Sequence, residues 1–383
     1  MKTVTVLSVG IGGYGGVLLA DMLEHENAWG IKIVGAVEPY PESAPLAAKL
    51  TQRGTPVYPD IGAFYAENKA DLAVIATPIR YHKAGILACL QNGSNVLCEK
   101  PLCADENDIS DIIKARDEAG LFVYIGYQWS HAEAIGALKA DILNGDFGKP
   151  LDLRTLVLWP RDEAYFKRGT GWAGKITDGG VPVYDSIANN AAAHYLHNIF
   201  FLLGEKPLAA KAPVSFTADL TRANPIENFD TAVIRMTFEG GAKALFAASH
   251  AVEKNLDPLF RYEFERGTVY FSQGPVPDAI ADAGKYEPGC IVSYMADGTI
   301  RTYGNPFENA ARKVFLAAKA VRGEPDGYER CGVETAAVHT RFINALQRTA
   351  VIRDVPEERL ARRDKLTYVK GLYDELIGVY AAG

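Results

Sequence analysis

Cysteine is scarce and scattered: the chain has five, Cys89, Cys98, Cys103, Cys290 and Cys331, with no Cys-x-x-Cys pair. An odd, dispersed set excludes a disulfide framework and a structural zinc site, so reduced and mostly buried thiols are expected and no metal is assigned. Long apolar runs are missing too. None approaches the roughly 20 residues needed to span a bilayer, so no membrane segment is expected. Positive charge is in deficit, 40 Lys and Arg against 47 Asp and Glu for a formal net charge of −7. That removes the electrostatic case for nucleic acid or an anionic membrane and favours a small-molecule partner. The opening MKTVTVLSVG runs straight into a strand-and-glycine pattern with no room for a cleavable leader, and cytoplasm is the expected compartment.

What is present is a globular composition, 48% hydrophobic and 23% charged over 383 residues. This is more chain than one core comfortably fills, so two domains are expected. Strand-like stretches Thr3 to Val9, Ile31 to Val37, Asp71 to Ala76, Asn95 to Cys98 and Leu121 to Ile125 alternate with helical spacing at Val17 to Leu23, Tyr81 to Asn92 and Asp105 to Ala119. That rhythm predicts a doubly wound parallel sheet over residues 1–126.

After Gly148-Lys-Pro150 the rhythm changes. Leu151 to Trp159, Thr231 to Phe238, Lys243 to Ser249, Phe260 to Phe264 and Thr268 to Phe271 read as strands joined by Gly-containing turns. Residues 127–383 are therefore expected to form an α+β domain on a large, open, mainly antiparallel sheet. Helical patterns at Pro306 to Arg322, Gly332 to Arg348 and Leu366 to Tyr380 close the chain, with C-terminal helices packing back on the first domain.

Gly10-Ile11-Gly12-Gly13-Tyr14-Gly15 fits Gly-x-Gly-x-x-Gly between a strand and a helix, where absent side chains let backbone N–H groups approach a pyrophosphate. Glycines simply making a tight turn would look the same. Glu38 closes the next strand, where its carboxylate can accept from a ribose diol and would repel a 2′-phosphate; no Lys or Arg follows it closely. NAD is expected over NADP.

Further motifs are Thr77-Pro78 after the strand at 71–76, then His82, then Glu99-Lys100-Pro101 after the strand at 95–98. With the glycine motif, this set resembles the glucose–fructose oxidoreductase and inositol dehydrogenase superfamily, known as Gfo/Idh/MocA. The resemblance implies an N-terminal Rossmann domain, a C-terminal domain on an open antiparallel sheet, and Lys100 beside the nicotinamide and substrate. The physics agrees, since an ammonium at the carboxyl end of a parallel strand can hydrogen-bond a reacting oxygen and, once desolvated, releases its proton more easily. By the same resemblance Thr77, Pro78, His82, Glu99 and Gln128 join the cofactor contacts, and Trp129 the substrate contacts.

The family's second half-site is an Asp followed four residues later by a His, on a helix ending in Leu-Leu-Gly. Counting back from Gly204 places His194 on that His and Asn190 on that Asp. On a helix the two lie one turn apart on the same face. Asn cannot carry a proton relay, so Lys100 and His194 are expected to act more independently, with Asp185 or a water in support. His197 reads as a packing residue.

Trp159-Pro-Arg161, Tyr165, Arg168 and Trp172 form an aromatic and cationic segment. It suits a sugar-binding wall, and equally a loop packed on the sheet or on another subunit. The expected function is a dehydrogenase that moves a hydride between NAD and a sugar or cyclic polyol. Two alternatives stand beside it: NAD-dependent glycoside cleavage through transient oxidation and elimination, and a non-catalytic dinucleotide sensor. The resemblance also implies a homodimer or homotetramer.

Overall fold

The computed structural model describes residues 2–169, 171–308, 311–325 and 331–382. The chain divides into two compact units, Met1–Ala132 with Asn309–Thr340, and Glu133–Glu308 with Arg341–Gly383.

The first unit is built on six parallel strands: β1 (Val4–Val9), β2 (Ile31–Val37), β3 (Val57–Tyr58), β4 (Leu72–Ile75), β5 (Asn95–Cys98) and β6 (Val123–Ile125), in the order β3-β2-β1-β4-β5-β6. All four residues of β4 are buried. A strand covered on both faces reads as a continuous apolar run rather than an alternation, which is why Leu-Ala-Val-Ile announces itself. Helices Gly13–Trp29, His82–Gln91 and Asp108–Ala119 supply the crossovers. The order reverses between β1 and β4, the switch point where such sheets open a crevice at their carboxyl edge. The later stretch completes this unit: Val314, Ala317 and Ala318 of the helix Arg312–Val321 join a core with Val6, Leu18, Leu72 and Leu97, and Gly332 bridges to Tyr124.

The second unit carries a nine-stranded sheet. Its spatial order is Ile300–Gly304, Ile291–Met295, Gly267–Ser272, Leu256–Phe264, Pro150–Leu158, Lys243–Ser249, Thr231–Thr237, Ser215–Arg222 and Ile352–Asp354. Neighbours are antiparallel except where Lys243–Ser249 meets Pro150–Leu158 and where Ser215–Arg222 meets Ile352–Asp354. The sheet is thus mixed and mostly antiparallel. Leu376, Ile377 and Tyr380 of the C-terminal helix pack with Leu156, Leu158 and Ala247.

Two local expectations change. Leu366 to Tyr380 is not one helix: Leu366–Val369 pairs with Leu360–Arg363 as a hairpin and the helix begins at Leu372. Cross-strand pairing outcompetes the helical spacing there. The strands Ser215–Arg222 and Ile300–Gly304 were not anticipated because they are polar and half-exposed, so no apolar run marks them.

Candidate active site

At the carboxyl edge of the first unit's sheet, β1 ends in the glycine turn and Gly12 caps the helix Gly13–Trp29. Gly13 has φ +49, and a Cβ there would meet nothing within 4 Å. The backbone is therefore open to a ligand in a conformation that favours glycine. Gly15 serves the opposite need, since a Cβ on it would stand 2.0 Å from the Gly10 carbonyl oxygen. Glu38, the residue after β2, accepts the Ile11 N–H at 3.2 Å through Oε2 and the Tyr40 N–H at 3.2 Å through Oε1. Its carboxylate is thus held against the glycine turn.

Two residues beyond β4, Thr77 Oγ1 is buried with no hydrogen-bond partner among the described residues. Pro78 follows it and opens the single turn Ile79–Tyr81. A buried orphan hydroxyl costs free energy unless a ligand or water satisfies it. The open glycine backbone, the Glu38 carboxylate and the Thr77 hydroxyl all fit a dinucleotide. Gln128, half-buried, begins the turn Gln128–His131 after β6.

Lys100, two residues beyond β5, is half-buried. Its neighbour Glu99 faces inward and forms an ion pair with Lys313, whose side chain is 0% exposed. The Lys313 ammonium also donates to Tyr14 Oη at 3.3 Å and lies 3.5 Å from the Gly126 carbonyl oxygen. Burial works against the charge on Lys313, but Glu99 and Tyr14 outweigh it and hold its pKa above the ordinary lysine value. Burial likewise pushes the Tyr14 phenol up, with Lys313 opposing. Lys313 was missed by sequence reasoning. Its signal is a lysine one turn before the buried Ala317, in the stripe a helix turns to its core.

Three of the expected site residues are held by contacts within the unit. Glu99 pairs with Lys313 inside the unit. His82 is 1% exposed, with Nδ1 2.7 Å from the Pro101 carbonyl oxygen and Nε2 3.0 Å from that of Thr77. It lies between two turns, with its single neutral-state N–H able to donate to one of these carbonyls at a time, and burial pushes its pKa down. Trp129, 1% exposed, is buried in the turn after β6.

The second unit holds the other candidates. Asn190 and His194 are not one turn apart on a regular helix, because the helix starts at Ala193 and residues 187–192 are successive turns. Asn190 N–H donates to the Ser186 carbonyl at 2.9 Å, and its Nδ2 donates to Asp185 Oδ1 at 2.8 Å. Asp185 is 3% exposed and accepts the Gly174 N–H at 2.6 Å through its other oxygen. The preceding Tyr184 has φ +46, an uncommon conformation for a side-chain-bearing residue, with its carbonyl accepting from Asn189 Nδ2 at 3.1 Å. His194 is half-buried; His197 is buried and stacks on Phe201 at 6.1 Å.

The aromatic segment folds onto itself. The Arg168 guanidinium carbon lies 3.6 Å from the Tyr165 ring centre and 4.9 Å from that of Trp172. Arg161 lies 5.2 Å from Tyr165 and 5.4 Å from Trp159. His250 is buried beside Tyr165, its Nδ1 donates to the Trp159 carbonyl at 2.8 Å, and burial pushes its pKa down to about 3.

A family model for an oxidoreductase family with an NAD-binding Rossmann fold matches residues 4–127, and one for the Gfo/Idh/MocA C-terminal domain matches 135–274. The chain belongs to the Gfo/Idh/MocA family. Among curated relatives, a 2,7-anhydro-N-acetylneuraminate hydratase of Mediterraneibacter gnavus is 28% identical over 151 residues, 39% of this chain and 38% of that protein. An inositol 2-dehydrogenase of Rhodococcus erythropolis is 37% identical over 105 residues, 27% of this chain and 30% of that one. A D-apiose dehydrogenase of Rhizobium rhizogenes is 25% identical over 227 residues, 57% of this chain and 59% of that one. This chain thus spans less than two thirds of each relative's length. The WlbA dehydrogenase from Bordetella pertussis, solved with NADH and UDP-GlcNAcA, shares the fold at a TM-score of 0.71 and 21% identity, over 91% of this chain and 97% of that one. The first unit of this Gfo/Idh/MocA protein is accordingly the family's NAD-binding Rossmann domain.

Proposed function

We propose that the protein is an NAD(H)-dependent dehydrogenase that oxidises a CH–OH group of a sugar or cyclic polyol, or reduces the matching carbonyl. One observation carries the reading: the glycine turn, Glu38, the orphan Thr77 hydroxyl and Lys100 all follow the carboxyl ends of adjacent strands of one parallel sheet. Bound NAD supplies the hydride acceptor. Gly12 and Gly13 with the helix N-terminus hold the pyrophosphate, and Glu38 takes the adenosine ribose. Lys100 hydrogen-bonds the reacting oxygen. His194 takes up or returns the hydroxyl proton, and Asn190, anchored on Asp185, orients the substrate without competing for that proton.

The likeness to an inositol dehydrogenase and an apiose dehydrogenase supports the polyol or sugar class. Likeness to a hydratase is the observation behind a second reading, transient oxidation followed by elimination. The proposal includes self-association through the open sheet face, where Asp152, Arg154 and Lys243 line a cavity of about 460 Å³, and a cytoplasmic location. Among the described residues no helix is long and apolar enough to cross a membrane.

Lys100→Met tests the reading. Turnover should fall on the order of 10²- to 10⁴-fold while NADH binding, followed by fluorescence titration, stays within about threefold. Near wild-type turnover would make Glu-Lys-Pro structural in this chain.

A further inference from the structure

Arg161 and Arg168 are set apart from most of the chain's arginines. Among the described residues neither has a carboxylate within ion-pair distance, whereas Arg116, Arg154, Arg222, Arg301 and Arg322 all do. Both guanidinium carbons lie within 5.2 Å of the same Tyr165 ring centre, so two like charges share one aromatic wall. Each is fixed by its own backbone: Arg161 Nη1 donates to the Pro160 carbonyl at 3.0 Å and Arg168 Nη1 to the Tyr165 carbonyl at 2.5 Å.

Carboxylates beside this cluster accept from neutral donors, Asp162 from the Tyr165 N–H at 3.1 Å among them. Asp185 accepts from Gly174 and Asn190, and Asp257 from Trp159 Nε1 and Asn255. The buried His250 does not compensate either: it adds no negative charge, and its depressed pKa, set chiefly by burial, keeps it neutral beside the two cations. Two half-buried, pre-oriented guanidinium groups in a protein of net charge −7 concentrate positive potential where planar oxygen pairs can be gripped bidentately. Stacking on Tyr165, Trp159 and Trp172 freezes them in advance, which lowers the ordering cost of binding.

We propose that Arg161 and Arg168 form a subsite for an oxyanion carried by the sugar substrate, a carboxylate or a phosphate, with Trp159, Tyr165 and Trp172 as the wall beside the ring. The inference rests on the dehydrogenase reading and adds the charge class of its substrate. It places selectivity in Arg161, Arg168 and their aromatic wall rather than in the cofactor unit.

Calorimetric titration of the NAD-saturated protein with glucose, glucuronate and glucose 6-phosphate tests it. At least one charged sugar should bind on the order of 10- to 100-fold more tightly than glucose. The better of the two identifies the oxyanion. In Arg161→Ala and in Arg168→Ala the ratio of charged to neutral affinity should narrow to about threefold or less. Arg168→Lys, which keeps the charge but loses the fork, should narrow it at least threefold and carries the test should the alanine variants fail to fold. Equal binding of the three sugars, no binding of either charged sugar, or a ratio that survives the substitutions would overturn the subsite. NAD binding with turnover of neutral sugars and no charge preference would remove this inference alone, whereas failure to bind NAD would remove the dehydrogenase reading itself.

Discussion

Lys313 is the residue whose role departs furthest from its sequence context, a fully charged group at 0% side-chain exposure joined to Glu99 beneath the Lys100 turn. Removing one partner of a buried pair leaves the other charge uncompensated, which costs about 3–5 kcal/mol. Lys313→Met is therefore expected to lower unfolding free energy by about that amount in urea, and Lys313→Met with Glu99→Gln to recover much of it. An unchanged midpoint for the single variant would contradict the pair's importance. The glycine turn, Glu38 and Lys100 were legible because each follows a strand that its own apolar run reveals. Lys313 was not, since nothing short of the fold brings residue 313 to residue 99. His82 and Glu99 were legible as motif members but not as buried residues, because a motif records which residues recur and not which way they face.

At the scale of elements, the segment 185–194 was read correctly as polar residues opening a helix and wrongly as a regular helical turn. The apolar spacing from Ala193 onward extends smoothly back through Ala191 and Ala192, so periodicity alone misses the start at Ala193. The consequence is that Asn190 is anchored to Asp185 by a side-chain bond rather than by helix phase. Asn190→Ala is expected to reduce turnover on the order of tenfold to a few hundredfold with little change in NADH binding. Asn190→Asp places a second carboxylate against Asp185. Like charges at that distance share a proton, so the variant's stability should fall as pH rises through the pair's elevated titration. Steady-state rates and denaturation profiles across pH check both, and wild-type behaviour in both variants would put Asn190 outside the site.

At the scale of the whole molecule, the parallel unit was readable strand by strand and the second sheet only in its apolar strands. Which C-terminal helix returns to the first unit depends on Val314 and Ala317 meeting Leu72 and Leu97, a long-range match that periodicity does not encode. Global stability should also carry the mark of His250. Burial depresses its pKa from the usual 6.5 to about 3, so the unfolded chain takes up a proton that the folded chain refuses. That contribution is present above about pH 6.5 and is lost as pH falls toward about 3. Between pH 7 and pH 5 the wild type is expected to lose about 2 kcal/mol more unfolding free energy than His250→Gln. Parallel stability curves would contradict this.

The central claim is net hydride transfer between NAD and a polyol carbon, and the most direct test is NADH formation with a panel of inositols, aldoses, uronates and glycosides, followed by near-ultraviolet absorbance. The account predicts stoichiometric NADH accumulation with at least one inositol, aldose or uronate, abolished by Lys100→Met. A protein that binds NAD yet accumulates no NADH with any member of the panel, or that cleaves a glycoside with no net NADH, would contradict it.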